Sequence, residues 1–142
     1  MLRNIPEKIS PELLYTLARM GHGDRIVIGD GNFPGYTLNS TVIHADGHTV
    51  ADMMDAILKL MPLDPYNPWQ IGLMETVGDD PEPPVWSEFA EIAERSYPGH
   101  TVKHFERFEF YEQVKKCFAV VATTDTALYG NIILTKGIVI PE

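Results

Sequence analysis

The sequence predicts an α/β protein, a three-layer α/β/α arrangement around a mixed, mostly parallel sheet. Three observations predict it. Short β-branched or apolar runs alternate with segments whose apolar residues recur at helical spacing. Some runs, such as 118–122, are apolar without interruption, which suits strands covered on both faces. Glycine and proline clusters fall between these segments rather than within them.

The elements follow in order. Ser10-Pro11-Glu12 reads as a helix start: a capping hydroxyl, a proline in the first turn, then an acid facing the positive dipole end. Leu13, Leu14, Leu17 and Met20 continue it, and Gly21 stops it. A strand is expected over 25–28, and the glycine-rich 29–35 as a loop. A second strand covers 41–44, with a turn at Ala45-Asp46-Gly47. Thr49 caps a helix with Val50, Met53, Met54, Ile57 and Leu60 on one stripe. Pro62, Pro65 and Pro68 interrupt the chain before a strand within 69–74. Residues 79–84 are acidic and proline-rich, an exposed loop, and a helix over 85–95 turns Trp86, Phe89, Ala90 and Ala93 to one side. An extended stretch follows Tyr97-Pro98-Gly99. The last helix covers 105–116, with Phe108, Tyr111 and Val114 inward. Strands at 118–122 and 131–134 complete the sheet, the latter continued by 138–140.

The bulk properties restrict function. A chain of 142 residues without linker or repeat fits one domain, 1–142. No apolar run reaches the length of a membrane span, and residues 1–11 lack the pattern of a secretory leader. The single cysteine, Cys117, cannot pair internally. These features predict a soluble cytoplasmic protein without membrane contact. A net charge of -9 disfavours nucleic acid, which needs a basic footprint. A neutral small molecule fits better.

Several residues could carry chemistry. His22 lies between Gly21 and Gly23, where the backbone can approach a ligand and the imidazole can exchange protons near neutral pH. The same pattern also fits a histidine at a helix C-terminus, facing the negative dipole end. Asp30 falls at the carboxyl end of a predicted strand, where open α/β sheets bind ligands. It could hold sugar hydroxyls or simply shape a turn. Tyr129-Gly130-Asn131 offers a phenol, an aromatic face and an amide, or a tight turn with glycine in a left-handed position. Arg107 could donate to hydroxyls or pair with Glu106 or Glu109. His44 and His48, and His100 and His104, are spaced for ligation only on a helix, and both pairs fall outside one. No metal is expected. The glycines of 29–35 lack a dinucleotide fingerprint, so no nucleotide is expected. Cys117 reads as a buried, inert thiol.

Four stretches together carry a resemblance: Ser10-Pro11-Glu12-Leu13-Leu14, Met20-Gly21-His22-Gly23-Asp24, Asp30-Gly31-Asn32-Phe33-Pro34 and Leu128-Tyr129-Gly130-Asn131-Ile132-Ile133-Leu134. In this order and over this length they resemble the L-fucose mutarotase/D-ribose pyranase family. Phe105-Glu106-Arg107-Phe108 and Tyr111 look like its fucose branch. The resemblance implies an isomerase that interconverts sugar anomers by acid/base ring opening, without a cofactor. His22 would be the proton donor. Asp30, Arg107, Tyr129, Gly130 and Asn131 would bind the monosaccharide, and Tyr129 or a water would handle the anomeric proton. It also implies a ring-like homo-oligomer, often a decamer, with sites near subunit contacts. That matters because eight residues separate His22 from Asp30, up to roughly 26 Å if extended. A D-ribose pyranase, a non-catalytic monosaccharide-binding protein and a ring protein with a vestigial site are the alternatives.

Overall fold

The computed structural model describes residues 1–142. Six strands form one sheet: β1 (Arg25–Gly29), β2 (Val42–Ala45), β3 (Ile71–Met74), β4 (Val102–Phe105), β5 (Ala119–Thr123) and β6 (Ile132–Thr135). Their order across the sheet is β2-β5-β1-β6-β3-β4. Strands β1, β2 and β5 pair in parallel, as do β3 and β4. Strand β6 runs antiparallel between β1 and β3. The sheet is therefore mixed and mostly parallel.

Five helices cover it: α1 (Pro11–Arg19), α2 (Gly35–Leu38), α3 (Val50–Leu58), α4 (Val85–Ser96) and α5 (Arg107–Lys115). Strand side chains alternate between two faces, and the two cores follow that alternation. Ile26, Ile28, Ile132 and Leu134 join α1, α3 and α4 in the larger core, with Met53, Ile57 and Phe89 fully buried. Val27, Val120 and Ile133 face the smaller core with Phe110 and Val114 of α5. Helices thus lie on both faces.

The helix starts are explained by their caps. Ser10 Oγ accepts the Leu13 N–H at 3.1 Å, and Thr49 Oγ1 accepts the Asp52 N–H at 3.1 Å. At α5 the cap is Glu106, whose carboxylate accepts the N–H groups of Phe108 and Glu109.

The structure corrects several expectations. Phe105 ends β4 instead of opening a helix, and α5 begins at Arg107. Phe108 points outward, while Phe110 is fully buried, because the face of α5 that meets the sheet carries Phe110 and Val114, four residues apart. Ala90 is exposed and Ile92 is buried, so the buried face of α4 is Val85, Phe89, Ile92 and Ala93. Residues 138–140 are not a strand. Val139 and Ile140 are exposed beyond β6. The short α2 was not expected within the region after Gly29-Gly31.

Candidate functional site

Polar side chains gather at opposite edges of the sheet. The carboxyl edge is assembled by the direction of β6. Ile132 is paired with both Ile28 of β1 and Leu73 of β3. The residues just before β6 therefore arrive where β1 and β3 end. Asp30 follows β1 there, and Asn131 Oδ1 accepts its backbone N–H at 2.8 Å. The Asp30 carboxylate accepts the Asn32 N–H at 2.9 Å. Burial pushes this carboxyl above its usual range, and nearby Asp125 adds to the push. Backbone N–H groups of Asn32, Gly130 and Phe33 act in the opposite sense.

Tyr129 has a left-handed φ of 53°, uncommon for a residue with a side chain. Its surroundings hold it there. The Trp86 Nε1–H donates to the Tyr129 carbonyl at 3.2 Å, and the Val77 N–H donates to the Tyr129 hydroxyl at 3.0 Å. That hydroxyl donates to Asp80 Oδ2 at 2.5 Å. The bond to Asp80 raises the phenol's pKa, because it favours the protonated form, while the Val77 N–H and the Arg107 charge act against it. At Gly130, a Cβ would stand 3.0 Å from the Ala127 carbonyl oxygen, so glycine lets the loop close against Asp30.

Arg107 opens α5 at this same edge. Its Nε–H donates to the Tyr111 hydroxyl at 3.4 Å, a bond that holds the guanidinium firmly cationic. The guanidinium lies over the rings of Phe108 and Tyr111. It forms no ion pair with Glu106 or Glu109, since Glu106 is occupied as the helix cap. Between these elements is a pocket of about 280 Å³ lined by Asp30, Asn32, Phe33, Pro34, Met74, Asp80, Tyr111, Leu128, Tyr129 and Asn131. Carboxylates, an amide, phenols and aromatic edges around so small a space suit one polyhydroxylated ring.

His22 is elsewhere. Its Nε2 lies 2.9 Å from Asp64 Oδ1, and its ring meets Tyr66 edge-on. The loop is pinned at the amino end of β1. Gly23 has a φ of 86° and donates its N–H to the Lys136 carbonyl, and the Gly21 N–H donates to Asp24. Asp64 is buried and held by its own N–H bond to the Thr135 carbonyl. The imidazole side chain stays half-exposed, paired to the buried Asp64 carboxylate. The five residues of β1 separate this pair from Asp30, about 17 Å of strand. One chain thus brings Asp30, Arg107, Tyr129, Gly130 and Asn131 together and leaves His22 apart.

Asp64, Tyr66, Asp80 and Trp86 were not singled out from the sequence as site residues. Asp64 carried a readable signal, an acid between Pro62 and Pro65. Asp80 had none beyond its acidic loop. The histidine pairs do not converge: His44 contacts Tyr36 and Asp46, His100 pairs with Glu94, and His104 packs on Trp86. Cys117 is buried, and desolvation pushes its thiol up to about 12. No helix is long and apolar enough to cross a membrane.

The model of the RbsD / FucU transport protein family matches residues 3–139. The chain belongs to this family. Among its RbsD/FucU relatives, the fucose mutarotase of Homo sapiens is 49% identical over 144 residues, covering 96% of this chain and 94% of the human one. The fucose mutarotase of Streptococcus pneumoniae, solved in complex with L-fucose, matches with a TM-score of 0.93 at 43% identity. That match covers 98% of this chain and 100% of the other. Bacillus subtilis RbsD, solved with D-ribose, matches with a TM-score of 0.73 at 21% identity, covering 93% and 95%. The last likeness is one of fold.

Proposed function

We propose that this RbsD/FucU chain is an L-fucose mutarotase, an isomerase that interconverts the α and β anomers of the free sugar. The observation that carries the reading is the near-full-length likeness to fucose mutarotases, one of them holding L-fucose. The much lower identity to the ribose-bound relative favours fucose over ribose.

Ring opening requires one proton to leave the anomeric hydroxyl and one to reach the ring oxygen. Asp30, Asn131 and Arg107 would hold sugar hydroxyls, with Gly130 giving the close approach. Tyr129 would take the anomeric proton. His22, held by Asp64, would supply a proton to the ring oxygen. A positioned acid or base contributes about a hundred- to ten-thousand-fold.

The separation of His22 from Asp30 along β1 supports a donor supplied by a second copy. Exposed apolar residues flank both half-sites: Tyr66 beside His22 and Leu128 beside Tyr129. Tyr15, Tyr36, Phe108, Val139 and Ile140 are exposed as well. Such surface suits burial against other copies. A ring-like homo-oligomer, a decamer, would place the amino edge of one copy over the carboxyl edge of the next.

Magnetisation-transfer NMR on equilibrated L-fucose tests the reading, with D-ribose in parallel. Protein-dependent exchange of the fucose anomers is expected, and its loss in His22→Ala. Binding without faster exchange would leave a sugar-binding protein instead, and full activity in His22→Ala would remove the assigned role of that histidine.

A further inference from the structure

We propose that Asp80 is the proton acceptor behind Tyr129, a positioning residue that lets the phenol act as a base. The inference rests on the mutarotase reading and adds a residue to it.

The loop between β3 and α4 supplies the observation. Residues 76–82 form hydrogen bonds to the rest of the protein at one atom only, the Tyr129 hydroxyl oxygen. The Val77 N–H donates to it, and it donates to Asp80. A phenol has one O–H to donate and an oxygen that also accepts. Its proton is directed at Asp80, and its oxygen accepts from Val77. The phenol therefore has no free proton to offer a substrate and can meet it only as an acceptor. Tyr129 and Asp80 both line the pocket that holds Asp30 and Asn131, so the phenol and the acceptor of its proton border the space proposed for the sugar.

This arrangement limits the chemistry. A sugar hydroxyl can meet Tyr129 only as a donor to it. A neutral phenol cannot keep a second proton, so it can take the anomeric one only if it releases its own at the same time. Asp80 Oδ2 stands where that proton goes. The anomeric O–H bond breaks as the Tyr129 Oη–H bond forms, and the original phenolic proton passes to Asp80. The electrons of the anomeric O–H bond form the aldehyde C=O. The ring C–O pair moves to the ring oxygen, which gains a proton from the acid of the site. Reclosure on the other face reverses each transfer, so no proton is gained or lost over a turnover.

The other charges facing Tyr129 are consistent with a relay. Arg107 approaches from α5 and offsets part of the negative charge of Asp80. Asp30 lines the same pocket, and Glu82, Glu88 and Asp125 line a second hollow that Tyr129 and Asp80 also border. Of these acids, only Asp80 accepts the phenolic proton.

The variants Asp80→Asn and Asp80→Glu, assayed beside the wild type on L-fucose, test this. Asparagine keeps an acceptor oxygen for the Tyr129 O–H but cannot take up the proton. Asp80→Asn should slow anomer exchange by at least about tenfold, with KM within about twofold of wild type. Asp80→Glu should recover most of the rate. In ¹³Cζ-tyrosine NMR, Tyr129 should ionise at lower pH in Asp80→Asn, since the charge that opposes ionisation is gone. Wild-type exchange in Asp80→Asn would overturn the relay and leave the mutarotase reading standing. Equal slowing in both variants with a raised KM would reduce Asp80 to a loop anchor, also overturning the relay. A wild type that exchanges neither sugar removes the function itself.

Discussion

The charged form of Asp30 sits in a place that resists its charge. Burial is the largest influence on it, and three backbone N–H groups recover only part of the loss. Its folded pKa exceeds its unfolded one. Its contribution to stability is therefore complete below the ordinary carboxylate range and declines as pH rises through the folded value. The Tm difference between wild type and Asp30→Asn should move in favour of the variant as pH rises from about 3 to 6. A difference independent of pH would contradict the raised value. The variant should also lose fucose binding, which places Asp30 among residues kept for function at a cost in stability. Tyr129 belongs to the same group. Its left-handed backbone costs on the order of 1–3 kcal/mol and persists only where neighbours impose it, as Trp86, Val77 and Asp80 do.

Among the elements, helix starts show how similar devices serve different ends. Ser10 caps α1, whose buried residues Leu13, Thr16 and Leu17 belong to the scaffold. Glu106 caps α5, whose first residue is Arg107. Ser10→Ala and Glu106→Ala should each lose about 1 kcal/mol, a fall in Tm of roughly 2–4 °C at this size. Only Glu106→Ala should raise the KM for fucose, because only its helix start carries a residue proposed to hold the sugar. Equal KM values in the two variants would detach Arg107 from the substrate. The strands divide similarly. Strand β6 has one end beside Asp30 and the other beside the His22 loop, so a single antiparallel strand touches both half-sites.

For the whole molecule, the decisive geometry is the length of β1. Asp30 and His22 are at opposite ends of it, and no local motion of a five-residue central strand closes that distance. If adjacent copies share each site, two inactive variants should rescue one another. Asp30→Asn and His22→Ala, dissociated, mixed in equal amounts and reassembled, should recover about a quarter of wild-type exchange, the share of heterologous contacts with both residues intact. Recovery must be absent when the variants are mixed without dissociation. No recovery after verified reassembly would place both residues in one chain's site.

Much of this was legible in the sequence, for physical reasons. Helix α1 carries a cap, a first-turn proline and an apolar stripe, all local signals. The uninterrupted apolar run at β5 predicted a strand covered on both faces, and Val120 and Val121 are fully buried in different cores. Asp30, Asn131 and Tyr129 stood out as polar groups at strand ends. The start of α5 was misplaced because Phe105 is equally apolar as the end of a strand and as the first turn of a helix. Pairing with Met74 of β3 decides for the strand, and that partner is remote in sequence. Asp80 and Asp64 were missed for the same reason. An acid in a loop has no meaning until a partner 49 or 42 residues away is placed against it. Most helices and strands and the candidate polar residues could be read from local signals, because caps, periodicity and turn chemistry act over a few residues; the short α2 could not. Only the tertiary structure decided that β6 runs backwards between β1 and β3, which joins Asp30 to Asn131, separates both from His22 and turns the Tyr129 proton toward Asp80.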